Sequence, residues 1–451
     1  MVDNRNGFFC FEPSSIFIKN STIVNHDGIK EGNILIENGI ISDIFKGALR
    51  RRVDLEIDAK GKLVLPGAID IHFHIREPGE PYNETIYTGT LSAAKGGITS
   101  LFMMPNTDPP IDNPQMVAFV RSRAMQNSFV RLFPVGCATF RREGKRISEY
   151  GLMKREGIIA VSDDGRAISS SFVLRKSLEY SKNFGLILIE HPEDSELSGD
   201  ANEGVLTLKY GLTPYPSVAE SVCVARDILL AIYVEGKLHL THLSSAESLE
   251  LLRFAKEKVK RDQSKAQITS DVTPHHLLLS DEDFSVKDTN FKVNPPLRSR
   301  KDVQSLLEGV AEGLIDCIAS DHAPHPDFRK LTDFPSSPFG ISQADFFVSL
   351  CFILVRREII KIEKMVELIS FNPAKIFGLN GGEIKEGRWG DLIIFDPDRE
   401  FTVREEDIVS RGRNCPYIGW NLKGMVEKTI VAGKLIYDAE IFQGRKREVF
   451  P

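Results

Sequence analysis

Between Pro66 and Asp321, short apolar runs that end on polar residues alternate with helical stretches. Candidate strands end near His74, Asn106, Thr139, Asp164, His191, His242, His275 and Asp321. Candidate helices lie between them, at about 84–95, 114–126, 171–183, 217–234, 245–261 and 302–312. Eight strand–helix units over roughly 250–300 residues have the size of a (β/α)8 TIM barrel, an α/β fold. A doubly wound open sheet is the alternative, but it does not naturally bring chemistry to nearly every strand end, as a barrel does.

The flanks read differently. Ser15–Lys19, Asn33–Glu37, Gly39–Ile44 and Val53–Ile57 are β-patterned runs, with the turn pairs Asp27-Gly28 and Asn38-Gly39 among them. The same grammar returns at Asp391–Phe395 and Lys428–Tyr437. The expectation is a small, antiparallel, β-sandwich-like domain built from both ends of the chain. Its parts are residues 1–65 and 373–451, around a barrel at 66–372, with 1–14 as a loose leader.

Composition narrows the class. A formal charge of -6 on 451 residues argues against a nucleic-acid footprint. No apolar run is long enough to span a membrane, and the first residues lack the basic and apolar stretches of a secretory signal. Cys10, Cys137, Cys223, Cys317, Cys351 and Cys415 are scattered, with no Cys-x-x-Cys pair. That pattern fits reduced thiols in the cytoplasm and speaks against thiolate-bound zinc.

Chemistry concentrates where the first barrel strand ends, in Pro66-Gly-Ala-Ile-Asp70-Ile-His72-Phe-His74-Ile-Arg76-Glu-Pro-Gly79. Alternate strand residues share a face, so His72 and His74 project together, and paired imidazoles suit a borderline metal such as zinc. His191 follows an apolar run, and Asp321 opens Asp321-His-Ala-Pro-His325. His239 and His242 have opposite parity, so one of them is expected to face the barrel, and His242 lies nearer the rim. Ser162-Asp163-Asp164-Gly165 is good turn chemistry or a carboxylate aimed at a metal. Histidines and acidic groups gathered at one rim call for a cation or a reaction.

These stretches together resemble one family. His72-Phe-His74-Ile-Arg76, Met104-Pro-Asn106-Thr107, Ser162-Asp-Asp164-Gly165, Thr273-Pro-His-His276, Asn294-Pro-Pro-Leu-Arg298 and Ser320-Asp321-His-Ala-Pro-His325 are similar to dihydroorotase motifs in the same order. The closest likeness is to the bacterial type I branch of the amidohydrolase superfamily, and it runs from about Ser15 to the end. The resemblance implies metal positions at His72, His74, Asp164, His191, His242 and Asp321, with one or two zinc ions. It implies Asp321 as the proton-transferring base. It implies substrate contacts from His74, Arg76, Asn106, Asn294, His325 and the backbone of Phe339-Gly340. The implied substrate pair is L-dihydroorotate and N-carbamoyl-L-aspartate, whose carboxylate suits the planar fork of Arg76.

Two features depart from the common pattern: Pro192 in His191-Pro-Glu193-Asp194, and Ser342-Gln343-Ala344-Asp345 in place of a Gly-x-Glu-Thr run. Rival readings are another cyclic amidase, such as a hydantoinase or allantoinase, or a catalytically silent homologue that partners aspartate transcarbamoylase. A homodimer is expected from base rates. Residues 326–338 read as a mobile or irregular segment.

Overall fold

A computed structural model describes residues 6–9 and 14–445. Eight parallel strands close into a barrel: Ala68–Phe73, Ile98–Met103, Arg131–Pro134, Val161–Ser162, Leu188–Glu190, Lys237–Leu240, Gln267–Val272 and Cys317–Ile318. Gly136–Cys137 continues the third strand and pairs with the fourth. The ring closes where Phe73 bridges His322 and the His74 N–H donates to the His322 carbonyl at 2.9 Å. Several strands stop two or three residues before the polar positions expected to end them, so those positions lie on the loops of the rim.

Side-chain alternation divides the barrel's apolar residues. Ile69, Ile71, Phe102, Phe133, Val135, Ile187, Ile189 and Cys317 fill the interior. Ala68, Leu101, Met103, Leu132, Leu188, Leu238 and Leu240 pack outward under the helices. Ala374, Phe377, Leu379 and Trp389 join the interior cluster and plug the end where the strands begin. The outer helices start on side-chain caps. Thr85, Asn113, Ser170, Ser245 and Ser299 each accept an N–H from the first turn.

The two ends of the chain share one eight-stranded sheet. Its order is Lys434–Asp438, Asn421–Val431, Leu392–Thr402, Leu63–Pro66, Ser15–Asn25, Gly28–Glu37 and Ile40–Phe45, with Leu55–Asp58 beside Ser15–Asn25. Asn38 and Gly39 adopt φ of +52° and +79°, as a tight hairpin turn requires. The sheet is not purely antiparallel. Ser15–Asn25 pairs in parallel with Leu55–Asp58 and Leu63–Pro66, because the chain after Phe45 crosses to the first strand's other edge.

One further expectation is corrected and another is borne out in part. Residues 1–5 and 10–13 of the leader, Cys10 among them, lie outside the described residues, but Phe8 is buried and exchanges backbone hydrogen bonds with Leu132 at 2.9 and 3.3 Å. That part is docked on the third barrel strand. The segment 326–338 is irregular but anchored. It contains the short helix Asp327–Lys330, and the buried Lys330 ammonium donates to the carbonyls of Thr289, Lys292 and Pro338 at 2.9, 3.3 and 2.8 Å. Among the described residues no helix is long and apolar enough to cross a membrane.

Candidate metal and catalytic site

At the rim where the strands end lies a pocket of about 370 Å³. Its walls carry His74, Arg76, Asn106, Asp164, His191, His242, Asn294, Asp321, His325, Phe339 and Gly340, with His72 just beneath. Every position singled out for the site therefore meets in one place.

A β-bulge aims the first two histidines. Asp70 opposes Leu101 and Phe73 opposes Met103, so the first strand spends three steps where its neighbour spends two. Ile69 and Ile71 face inward below the bulge, His72 and His74 above it, and Phe73 turns outward. Asp70 stays out of the pocket. Its carboxylate accepts the Ser320 N–H at 2.9 Å and the Ser320 hydroxyl, tying the first strand to the eighth. Burial pushes Asp70 up to about 6 against these hydrogen bonds.

His242 corrects the parity argument. His239 also faces inward, beside Ile189 in the register and 6.0 Å from the Phe377 ring. The strand ends at Leu240, and His242 takes φ +38°, so the chain turns back and aims a second imidazole into the barrel. Asp321 uses the same device at φ +44°. Non-glycine residues held in the left-handed region carry strain of the kind found at functional sites.

The convergence is tight. His72 Nε2 lies 3.2 Å from Asp164 Oδ1 and 3.5 Å from Asp321 Oδ1. His74 Nε2 lies 3.5 Å from Asp164 Oδ2 and 3.1 Å from Asp321 Oδ1. His191 Nδ1 and His242 Nε2 approach Asp164 Oδ1 at 3.8 and 4.0 Å and share a hydrogen bond of 2.8 Å. Asp163 turns away, accepting the Thr139 N–H at 2.8 Å and the Thr139 hydroxyl.

These residues fit a metal. Two ligands on one tetrahedral zinc, each about 2.1 Å away, stand about 3.4 Å apart, the spacing of His72 and His74 from the two aspartates. His72 Nε2 and Asp164 Oδ1 are buried with no hydrogen-bond partner, although they are close. Donor atoms of His72, Asp164 and His242, and of His72, His74 and Asp321, form two such groups. The far nitrogens are held: His74 Nδ1 at 2.9 Å by the Asn106 carboxamide oxygen, and His191 Nε2 at 2.7 Å by Glu193. Such outer partners orient metal-binding imidazoles.

The electrostatics agree. Burial lowers His72, but Asp164 and Asp321 outweigh it and push the ring up to about 10. Asp164 is held well below the carboxylate range by His72 despite its burial. Burial, reinforced by His191 and His72, drops His242 well below its usual value, so that ring is neutral.

Several contributors were not singled out in the sequence. Glu193, inside the His-Pro-Glu-Asp run, accepts from His191 and from Asn294 Nδ2 at 3.0 Å. Arg142 donates to the Asp163 and Asp164 carbonyls. Asn414 holds the pocket's far wall: Nδ2 donates to the Ala323 and Gly340 carbonyls at 3.0 and 2.8 Å, and Oδ1 accepts the His325 N–H at 2.8 Å. Only Glu193 carried a sequence signal, its place in a motif. Gln343 fits its position, donating to the Ser320 carbonyl and His275 and accepting from the Tyr417 hydroxyl at 3.0 Å.

A closed (β/α)8 barrel with histidines and aspartates converging at one rim defines the amidohydrolase class, and residues 350–437 match the amidohydrolase family model. Residues 61–248 match the dihydro-orotase-like family model. The dihydroorotase of Endomicrobium trichonymphae is 45% identical over 410 residues, covering 90% of this chain and 95% of that protein. The dihydroorotase of Caldanaerobacter subterraneus subsp. tengcongensis is 42% identical over 430 residues, covering 94% and 97%. The chain belongs to the dihydroorotase family. Among solved structures, the L-hydantoinase (dihydropyrimidinase) from Arthrobacter aurescens superposes with a TM-score of 0.85 over 94% of this chain and 96% of its own, at 24% identity. That likeness is one of fold.

Proposed function

We propose that this chain hydrolyses the ring amide of L-dihydroorotate to N-carbamoyl-L-aspartate and runs the reverse ring closure, the dihydroorotase reaction of pyrimidine biosynthesis. The observation that carries this reading is the likeness to dihydroorotases over 90% or more of the chain. His72, His74, Asp164, His191, His242 and Asp321 would hold zinc, as one or two ions. When bound, the metal polarises the ring carbonyl and lowers the pKa of water to roughly 7. Asp321, at the pocket wall, accepts the proton of the attacking water and passes it to the departing ring nitrogen.

The far side of the pocket suits an anion. The Arg76 Nε is a buried donor without a hydrogen-bond partner, whereas the unpartnered Asn294 Oδ1 and the His325 Nδ1, whose ring donates from Nε2 to the Phe339 carbonyl, are acceptors open to substrate N–H groups. Arg76 offers its fork to the substrate carboxylate, and His74, Asn106 and the Phe339-Gly340 backbone complete the cradle. A neutral hydantoin ring would leave that arginine unmatched. A cytoplasmic setting is supported by Cys137, Cys223, Cys317, Cys351 and Cys415, all buried and free. Pairing with a second copy or with aspartate transcarbamoylase belongs to the same proposal, and sedimentation of the protein alone and with that enzyme tests it.

The test of function is dihydroorotate hydrolysis by the purified protein before chelation, after it, and after zinc return. Activity lost and regained is the expected result. A metal-replete protein that leaves dihydroorotate intact, or prefers an uncharged hydantoin, overturns the reading.

A further inference from the structure

Behind His72 a chain of hydrogen bonds crosses the barrel interior. His72 Nδ1 lies 2.6 Å from Thr241 Oγ1, just past the sixth strand. Thr241 Oγ1 donates to Asp271 Oδ2 on the seventh strand at 2.9 Å. The same carboxylate receives His239 Nε2 at 2.9 Å on Oδ2 and the His242 N–H at 2.7 Å on Oδ1. Thr241, Asp271 and His239 are fully buried.

The direction of this chain is forced. A carboxylate oxygen only accepts, so the single Thr241 hydroxyl proton points at Asp271. The Thr241 oxygen then has only lone pairs for His72, and the hydrogen between them sits on Nδ1. We propose that Asp271 is a positioning residue which, through Thr241, fixes the neutral His72 ring as the Nδ1–H tautomer and so presents the Nε2 lone pair to the metal. Nε2 is the atom that faces Asp164 and Asp321 and lacks a hydrogen-bond partner. Asp271 also pins the left-handed turn at His242 through that residue's N–H. One carboxylate thereby sets the hydrogen on one metal-facing histidine and the backbone of another. The inference rests on the reading of His72 as a ligand.

Asp271→Asn would invert the chain without changing its shape. The His242 N–H demands an acceptor, so the amide oxygen takes the Oδ1 place, and the amide NH2 faces both Thr241 and His239 Nε2, whose ring hydrogen shifts to Nδ1 against Thr269 Oγ1. The Thr241 proton then turns toward His72, and the His72 hydrogen moves to Nε2, where the metal belongs.

The test is the zinc dissociation constant of the full chain at neutral pH, by competition with a chromophoric chelator. Thr241→Val and Asp271→Asn are each expected to weaken zinc by about 10–100-fold, and Thr241→Ser to stay near the parent. Thermal unfolding of the metal-free variants, expected close to the parent, separates lost positioning from lost folding. A Thr241→Val protein that binds zinc as tightly as the parent overturns the inference, as does a loss that serine fails to restore. A parent protein that binds no zinc overturns this inference together with the proposed function.

Discussion

A proton on His72 and a cation at the site compete for the same nitrogen lone pair. The ring is pushed up to about 10 by Asp164 and Asp321 against the pull of burial, so at neutral pH the metal-free ring is charged. Its folded value lies above the unfolded one near 6.5. The stability it contributes is therefore full below pH 6.5 and is lost as pH rises through about 10. Metal uptake expels the proton, so affinity strengthens with pH across that window. Calorimetry in buffers of different ionisation heat should record about one proton released per metal at neutral pH. Metal-free protein should lose thermal stability between pH 6.5 and 10 more steeply than zinc-loaded protein. Asp321→Asn should keep its metal yet lose turnover by about 10²–10⁴-fold, because an amide is no base. A near-normal rate with metal bound would leave Asp321 a ligand only. At this scale the histidines and Asp164 were legible, since few structural needs gather such groups at strand ends. Thr241 and Asp271 were not, because a threonine just past one strand and an aspartate within the next announce no partner across a barrel.

The elements that carry the far wall of the pocket are held by a residue remote in sequence. The Asn414 carboxamide satisfies Ala323, Gly340 and His325 backbone groups, and it is 1% exposed. Asn414→Ala should leave these groups unpaired, at a cost of about 1–3 kcal/mol each. Steady-state kinetics should show KM for dihydroorotate raised about tenfold or more with kcat changed far less. A KM at the parent's value would show that the wall stands without the amide. Helix positions were legible because caps such as Asn113 and Ser245 precede amphipathic runs. The helix Phe347–Arg356 was not, because it is apolar on nearly every side and buried, which erases the period that betrays a surface helix. Alternation also misled at His242, where a left-handed residue overrides the strand's parity.

Across the whole molecule, one buried ion pair joins barrel to sheet. Arg131 Nε meets Asp391 Oδ2 at 2.7 Å, both nearly inaccessible, and Asp391 Oδ1 also accepts the Ala432 N–H at 2.8 Å. The Arg131 guanidinium lies 4.1 Å from the Trp389 ring centre. Arg131→Ala should destabilise the protein by about 3–5 kcal/mol, since it strands a buried carboxylate. Denaturant unfolding measures this, and kcat/KM should change little, because the pair sits at the barrel end opposite the pocket. An unfolding midpoint equal to the parent's would remove the pair from the fold's supports. The barrel and the shared sheet of both chain ends were legible from alternating patterns. The parallel pairing of Ser15–Asn25 was not, because direction depends on a crossover that periodicity does not encode. The plug of Ala374, Phe377, Leu379 and Trp389 bears on traffic as well as on packing. A barrel stoppered at its base has one doorway, so reactant and product queue at the same threshold and each bars the other. For a catalyst that works in both directions, each compound then slows the other's conversion by occupying the doorway, while the sign of net flux stays with their concentration ratio relative to equilibrium.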